Sequence, residues 1–344
     1  MYKTFFSIIT LSIFTFFKVY GQQMNYHQKI NNAENLIAEG KIQNALDVYS
    51  DALGNNIVFA QDLYNATLCA VKLKDYDKAL TYSEGLIKRG CTLKFFSTKR
   101  FETLRKYHKW GGFVKKYAIL KKALDNNSGR NIVIAEIKRL IDIDQSNFCL
   151  LPLANNSGNK VFLDSLKQNS DYVSKKLVEL FTKYGFLDEK IVGANIIGDT
   201  TIAILPIYSV LIRHHYQNKK YDLTPYLKKE FENGKIKPEV FTNWYDIELG
   251  GLIGSMPAIL FDCHLYFDTF NELRESVELN RKKYFLCSLE SIKKKILIKK
   301  CTLNCDFLFF TPVNIMQKID EGTKMSLRYM YEKNESKVLN CTQQ

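Results

Sequence analysis

His214 and His215 stand side by side at the end of an apolar stretch. Imidazole changes charge nearest neutral pH, so acid–base or metal chemistry is sought here first. Neighbours on a helix point about 100° apart, so the pair does not chelate one ion together. One of them, facing Asp246 across a polar pocket with Glu248 close by, would serve as metal ligand or as general acid and base. His214, His215 and Asp246 are therefore the catalytic candidates, and His214 with Asp246 the metal candidates. The spacing is not HExxH, and a helix-terminal histidine capping carbonyls is the structural alternative.

Other constellations carry less. Asp262-Cys263-His264 puts a thiol beside an imidazole, but neighbours in a strand face opposite ways, so Cys263 as nucleophile needs a distant base. Gly250-Gly251-Leu252-Ile253-Gly254 lacks the Lys-Ser/Thr of a phosphate loop and reads as a turn. The chain has 8 cysteines and no CxxC pair. Cys301 and Cys305 are the closest two, without further zinc ligands nearby. One or two disulfides at most are expected, and Cys69, on an apolar helix face, reads as a buried thiol. No serine nucleophile elbow, dinucleotide fingerprint or calcium loop occurs, and no cofactor is expected.

The elements that must position these groups are mainly helices. Apolar residues recur at helical spacing through Ile30, Ala33, Leu36 and Ile37, then through Ile42, Ala45, Leu46, Tyr49 and Leu53. Gly40 separates the two runs, where a residue of positive φ ends a helix. The pattern breaks at Asn126-Asn127-Ser128-Gly129. Helices are predicted over 132–143, 171–186, 200–216, 223–231 and 238–248, with a loop at 155–159. Val173, Leu177, Leu180 and Phe181 form one stripe. Ile296-Leu297-Ile298 and Phe307-Leu308-Phe309-Phe310, with Cys301–Cys305 between them, predict a small β-hairpin near the C-terminus.

Residues 40–53 recur 34 positions later as residues 74–87, with Ala45-Leu46 becoming Ala79-Leu80. A period of that length signals stacked helical hairpins, which build recognition surfaces. These residues resemble the tetratricopeptide repeat. Ala33 takes the small position of a first helix, Gly40 the turn, and Ala45, Tyr49 and Ala52 the small, aromatic and small positions of a second. Departures are Lys29 in place of Trp, Ile57 in place of Pro, and Ser83 and Leu86 in the second copy. A degenerate third period starts at Lys94, with Phe101, Leu104, Phe113 and Tyr117 in register. Its turn is placed at Tyr107–Gly112, with Trp110 as a buried cap residue rather than an exposed anchor. The resemblance implies a surface for a protein or peptide partner.

Residues 142–249 resemble an uncharacterised family of bacterial domains, often exported. The likeness is carried by Asp144-Gln145, Gly185, Val192-Gly193, His214-His215 with Gln217, Gly234 and Asp246. Ile247 departs from the family's Arg, and its closing Tyr-Gly-Thr signature is absent. Any chemistry that the family performs through those polar groups would be impaired here.

A net charge of +13 on 344 residues is spread through 115–122, 219–229 and 282–300. No nucleic acid partner is expected, and an anionic surface remains open beside a protein or peptide. Lys3, an uncharged run at 5–17 and Val19-Tyr20-Gly21 read as a signal peptide cleaved near Gly21. The chain thus divides into that signal (1–21), tetratricopeptide-like repeats with a degenerate cap (22–125), a helical domain (126–250) and a basic α/β extension (251–344). Two functions fit. One is an exported helical-repeat scaffold that binds a protein or peptide. The other is a metal-dependent or hydrolase-like domain at 148–248, with the repeats recruiting substrate. Mass spectrometry of the exported chain should find a mature N-terminus at Gln22, and an intact Met1 in a membrane fraction would contradict this.

Overall fold

The computed structural model describes residues 26–54, 58–157, 160–245, 258–261, 264–267, 271–301, 305–310 and 313–315. Among these the fold is mainly α, as the patterning predicts. The first helices are α1 (26–38), α2 (Ile42–Ala52), α3 (Ala60–Lys72) and α4 (Tyr76–Lys88). Next come α5 (Glu102–Arg105), α6 (Trp110–Asp125), α7 (Ser128–Ser157) and α8 (Lys160–Tyr184). Strands β1 (Asn195–Ile197) and β2 (Thr201–Ala203) precede α9 (Ser209–His215), α10 (Thr224–Glu232) and α11 (Pro238–Tyr245). Last are β3 (Ala258–Phe261), β4 (His264–Phe267), α12 (Asn271–Lys283), α13 (Leu289–Cys301) and β5 (Val313–Ile315).

The 34-residue echo is a backbone period. Helices α2, α4 and α6 begin at Ile42, Tyr76 and Trp110, each 34 residues after the last. The turns before α2 and α4 repeat as well, with positive φ at Gly40 (74°) and at its counterpart Lys74 (62°). Glycine takes that conformation without strain, whereas Lys74 accepts the steric cost of its Cβ to keep the turn. Ala45 and Ala79 are wholly buried, as close helix crossings require. The third period departs from the first two. Two 3-10 turns, Phe95–Ser97 and Lys99–Phe101, together with α5 replace its first helix. Arg105 fixes that turn by donating to the Thr98 carbonyl at 2.8 Å. Its expected turn at Tyr107–Gly112 is corrected, because Trp110 already opens α6 and packs, half-buried, on Phe96 and Phe113.

The chain forms two compact units, Met1–Ala79 with Lys237–Gln344, and Leu80–Ile236, dividing within α4. In the first, α2 packs on α3. Ile30 and Ile37 of α1, Leu63 and Leu68 of α3, Trp244 of α11 and Ile296 of α13 are buried in it. A three-stranded sheet of order β4-β3-β5 joins β3 antiparallel to β4 and parallel to β5. In the second unit α7, α8 and α9 pack together, burying Val133, Ile137, Leu140, Leu177 and Leu211. The stripe Val173, Leu177, Leu180, Phe181 is buried as expected, and Gly185 (φ 75°) ends α8. Gly193 (φ 83°) is required, because a Cβ there would lie 2.8 Å from the Arg89 carbonyl oxygen.

Three expected elements are corrected. The helix predicted over 200–216 is a β1–β2 hairpin followed by the shorter α9. Gly198 and Asp199 both take positive φ, as a type I′ turn needs, and Pro206 bars a helix through its neighbours. The loop predicted at 155–159 is helical through Ser157, because α7 continues well past 143. The hairpin near the C-terminus is β3–β4, not 296–310. Ile292, Ile296 and Leu297 instead lie on the buried side of a helix, at i, i+4 and i+5. No helix among the described residues is long and apolar enough to cross a membrane.

His27, on α1, is 3% exposed, and its ring lies 6.3 Å from Phe59 and 6.4 Å from Phe285. Burial, helped by the positive charge of Lys237, pushes its pKa down to about 3. Between that value and the ordinary ~6.5 the unfolded chain binds the proton and the folded chain does not. Stability is therefore lost as pH falls through this window, by up to about 1.4 kcal/mol per unit. Urea unfolding between pH 7 and 5 should show His27→Phe with a shallower decline than the wild type. Parallel declines would place the proton uptake elsewhere.

Candidate functional site

The two histidines meet one carboxylate, that of Asp144 on α7. His214 places Nδ1 at 2.9 and 3.0 Å from the two Asp144 oxygens, and His215 places Nε2 at 2.9 Å from Oδ1. Neighbouring rings reach one group because His214 uses its near nitrogen and His215 its far one. Gln145 donates to the same carboxylate at 2.8 Å. The other nitrogen of His215, Nδ1, lies 3.1 Å from the Ser170 hydroxyl of α8. Asp144 and His215 are buried, whereas the His214 side chain is 30% exposed and Ser170 is half-buried.

Burial alone would raise the Asp144 pKa. The hydrogen bonds from His215 and His214, the His214 charge and the Gln145 bond outweigh it, leaving the carboxyl below its ordinary range. With Asp144 ionised, His215 donates from Nε2, and a neutral ring then accepts from Ser170 at Nδ1. Hydroxyl, imidazole and carboxylate then form a chain of the kind that activates a serine. Asn218 approaches the same hydroxyl at 3.5 Å and donates to Asp171 at 3.0 Å.

Asp246 and Glu248, expected opposite His214, lie outside the described residues, as do Asp262, Cys263 and residues 250–254. Among the described residues no group of three or more His, Cys, Asp or Glu side chains is placed to hold a metal ion. Cys69 is buried, and burial pushes its thiol up to about 12. Cys91, Cys287 and Cys305 are likewise unpaired thiols.

A second constellation, in the other unit, lies on the helices of the repeat. Asn65 of α3 binds the main chain of Leu308 twice: Nδ2 donates to the carbonyl at 2.8 Å, and Oδ1 accepts from the amide at 2.9 Å. Gln61 donates to the same carbonyl at 3.0 Å, and Tyr64 donates to the Asp306 carbonyl at 2.8 Å. Asn31 stands 34 residues before Asn65 and donates to the Phe285 carbonyl at 3.0 Å. Equivalent asparagines of two periods thus each hold a main-chain group from the C-terminal part of the chain. Beside Asn31, a cavity of about 700 Å³ lies between Asn32 and Asn35 of α1 and Glu275, Glu278 and Lys282 of α12.

Beneath this face lies a charged network. Lys237 donates to Asp62 and to Gln61, both at 2.9 Å, while Tyr26 donates to the other Asp62 oxygen and Lys295 pairs with Glu34. Burial works against the charge of Lys237. Asp62, Glu239 and Glu34 outweigh it and hold the ammonium above the ordinary lysine range. Sequence reading singled out neither asparagine, although an Asn recurring at the repeat distance was the available signal. It also missed Ser170, which has no local motif.

No protein-family model, curated protein or solved structure matches the chain.

Replacing Asp144 by Ala leaves two histidines turned toward an empty, buried position. Chemical denaturation should show a loss of about 3 kcal/mol or more, on the scale of breaking a buried pair. His214→Ala, at the partly exposed end, should cost less than half as much. Equal losses would mean that His214 is as integral to the cluster as the carboxylate.

Proposed function

We propose that the chain is an exported helical-repeat protein, its first third tetratricopeptide-like, that acts as a protein- or peptide-binding scaffold. The observation carrying this reading is Asn65, whose amide satisfies both the N–H and the C=O of one residue in a non-helical segment. Such a bond pair recognises main chain whatever the side chain, which is how a helix face holds an extended peptide. Its counterpart Asn31 makes one of these contacts a period earlier. The net charge of +13 favours an acidic partner or an anionic surface as a secondary attachment.

The second reading, a hydrolase-like domain within 148–248, is favoured by one observation, the Ser170–His215–Asp144 chain. Its carboxylate lies just before that segment. Against it, His215 and Asp144 are buried, so the chain also serves to fasten α7, α8 and α9 together.

Affinity capture from the producing cell, comparing the wild type with Asn31→Ala/Asn65→Ala, tests the scaffold. Partner recovery should fall at least tenfold in the double variant while its helical circular dichroism is kept. Undiminished recovery would remove this face from partner binding. A fluorophosphonate probe should leave Ser170 unlabelled, and labelling that disappears in His215→Ala would put the hydrolase reading in its place.

A further inference from the structure

Residues 305–310, Cys-Asp-Phe-Leu-Phe-Phe, follow α13 and belong to neither helix nor strand. Phe307 and Phe309 are buried, whereas Leu308 and Phe310 between and after them are half-exposed. That alternation is the period of an extended chain. The two buried rings stack on one side at 6.4 Å, with the Lys72 ammonium 5.7 Å from the Phe307 ring. The main chain is held by side chains. Asn65, Gln61 and Tyr64 bind it from α3, and Lys299 of α13 donates to the carbonyls of Cys305 at 3.2 Å and Phe307 at 2.7 Å.

We propose that this face of α3 is a receptor for an extended aromatic-x-aromatic segment, that residues 305–310 are its resident ligand, and that a partner segment of the same chemistry binds by displacing them. The proposal rests on the scaffold reading and names its ligand. Two features of the contact carry it. The six hydrogen bonds just described all go to N–H and C=O groups, which any extended peptide offers equally. Its side-chain selectivity comes from two ring positions, Phe307 and Phe309, two residues apart. Exchanging one such segment for another therefore keeps these six bonds paired, and unpaired buried polar groups are what make most buried contacts irreplaceable. A segment without aromatic residues at both positions would leave the ring sites empty.

The test uses the full mature chain and a fluorescent peptide of residues 305–310 with Cys305 replaced by Ser. Leu308→Pro deletes the amide that Asn65 accepts while tolerating an extended backbone. Fluorescence anisotropy should show this variant binding the peptide at least tenfold more tightly than the wild type. Binding should be lost when Asn65→Ala is added, or when both peptide phenylalanines matching 307 and 309 become Ala. Equal binding to wild type and Leu308→Pro, or no binding to a folded Leu308→Pro, would overturn the proposal. So would dimerisation of that variant without peptide uptake, which would assign the face to a second copy. Hydrogen exchange in the wild type keeps the idea testable if Leu308→Pro fails to fold. The Leu308 amide should exchange at least tenfold more slowly than in the free peptide, and Asn65→Ala should erase the difference while α3 stays protected. An unprotected Leu308 amide would refute occupancy. Partner capture by the wild type that an excess of the peptide leaves unchanged would sink this proposal and leave the scaffold reading standing.

Discussion

Two lysines that cannot reach water impose the main constraint on the unit built from both ends of the chain. Lys237 and Lys295 are 5% and 2% exposed. An ammonium taken out of water costs several kcal/mol unless a carboxylate and further hydrogen bonds replace its hydration. Asp62 of α3 and Glu34 of α1 supply the carboxylates, with Gln61 completing the bonds of Lys237. Each pair joins an N-terminal helix to a segment more than 170 residues later. Hydrophobic burial alone would let α11 and α13 slide over α1 and α3 at little cost. The ion pairs do not, because a slip strands a charge at about 3–5 kcal/mol.

That register decides what the polar face of the repeat meets. Asn65 and Gln61 lie on the same helix as Asp62, so fixing Lys237 against Asp62 also fixes which part of the chain passes the amides. Gln61 takes part in both arrangements, bonding Lys237 through its oxygen and Leu308 through its nitrogen. The buried ion pair and the amide contacts to residues 305–310 are thus coupled through one side chain. The His27 ring, stacked near Phe59 and Phe285, is the weak point of the same arrangement, since it is tolerated only while neutral.

The other unit handles its buried polar groups differently. There one carboxylate collects three donors, from His214, His215 and Gln145, and among the described residues no lysine or arginine pairs with it. Such an arrangement fixes ring orientation, because both imidazoles must turn a nitrogen toward the same buried carboxylate. It orients His215 toward Ser170 whether or not that serine ever reacts. The same geometry would serve a nucleophile and a structural clasp, and accessibility at the hydroxyl is what separates them.

Sequence by itself determined the helical class, the 34-residue period, the positive-φ turn at Gly40, the stripe from Val173 to Phe181 and the burial of Cys69. These follow from side-chain periodicity and backbone sterics within a few turns of chain, so they need no knowledge of distant residues. It misjudged 200–216 and 296–298, where short apolar runs fit helix and strand alike and the Gly198-Asp199 turn and the packing of Ile292 and Ile296 decided. Only the tertiary structure could pair His214 with Asp144, 70 residues away, or Asn65 with Leu308, 243 residues away. It alone showed that one compact unit is made from two ends of the chain. Partnerships of that kind depend on which buried charges and amides packing brings face to face, and no local pattern in the chain encodes that.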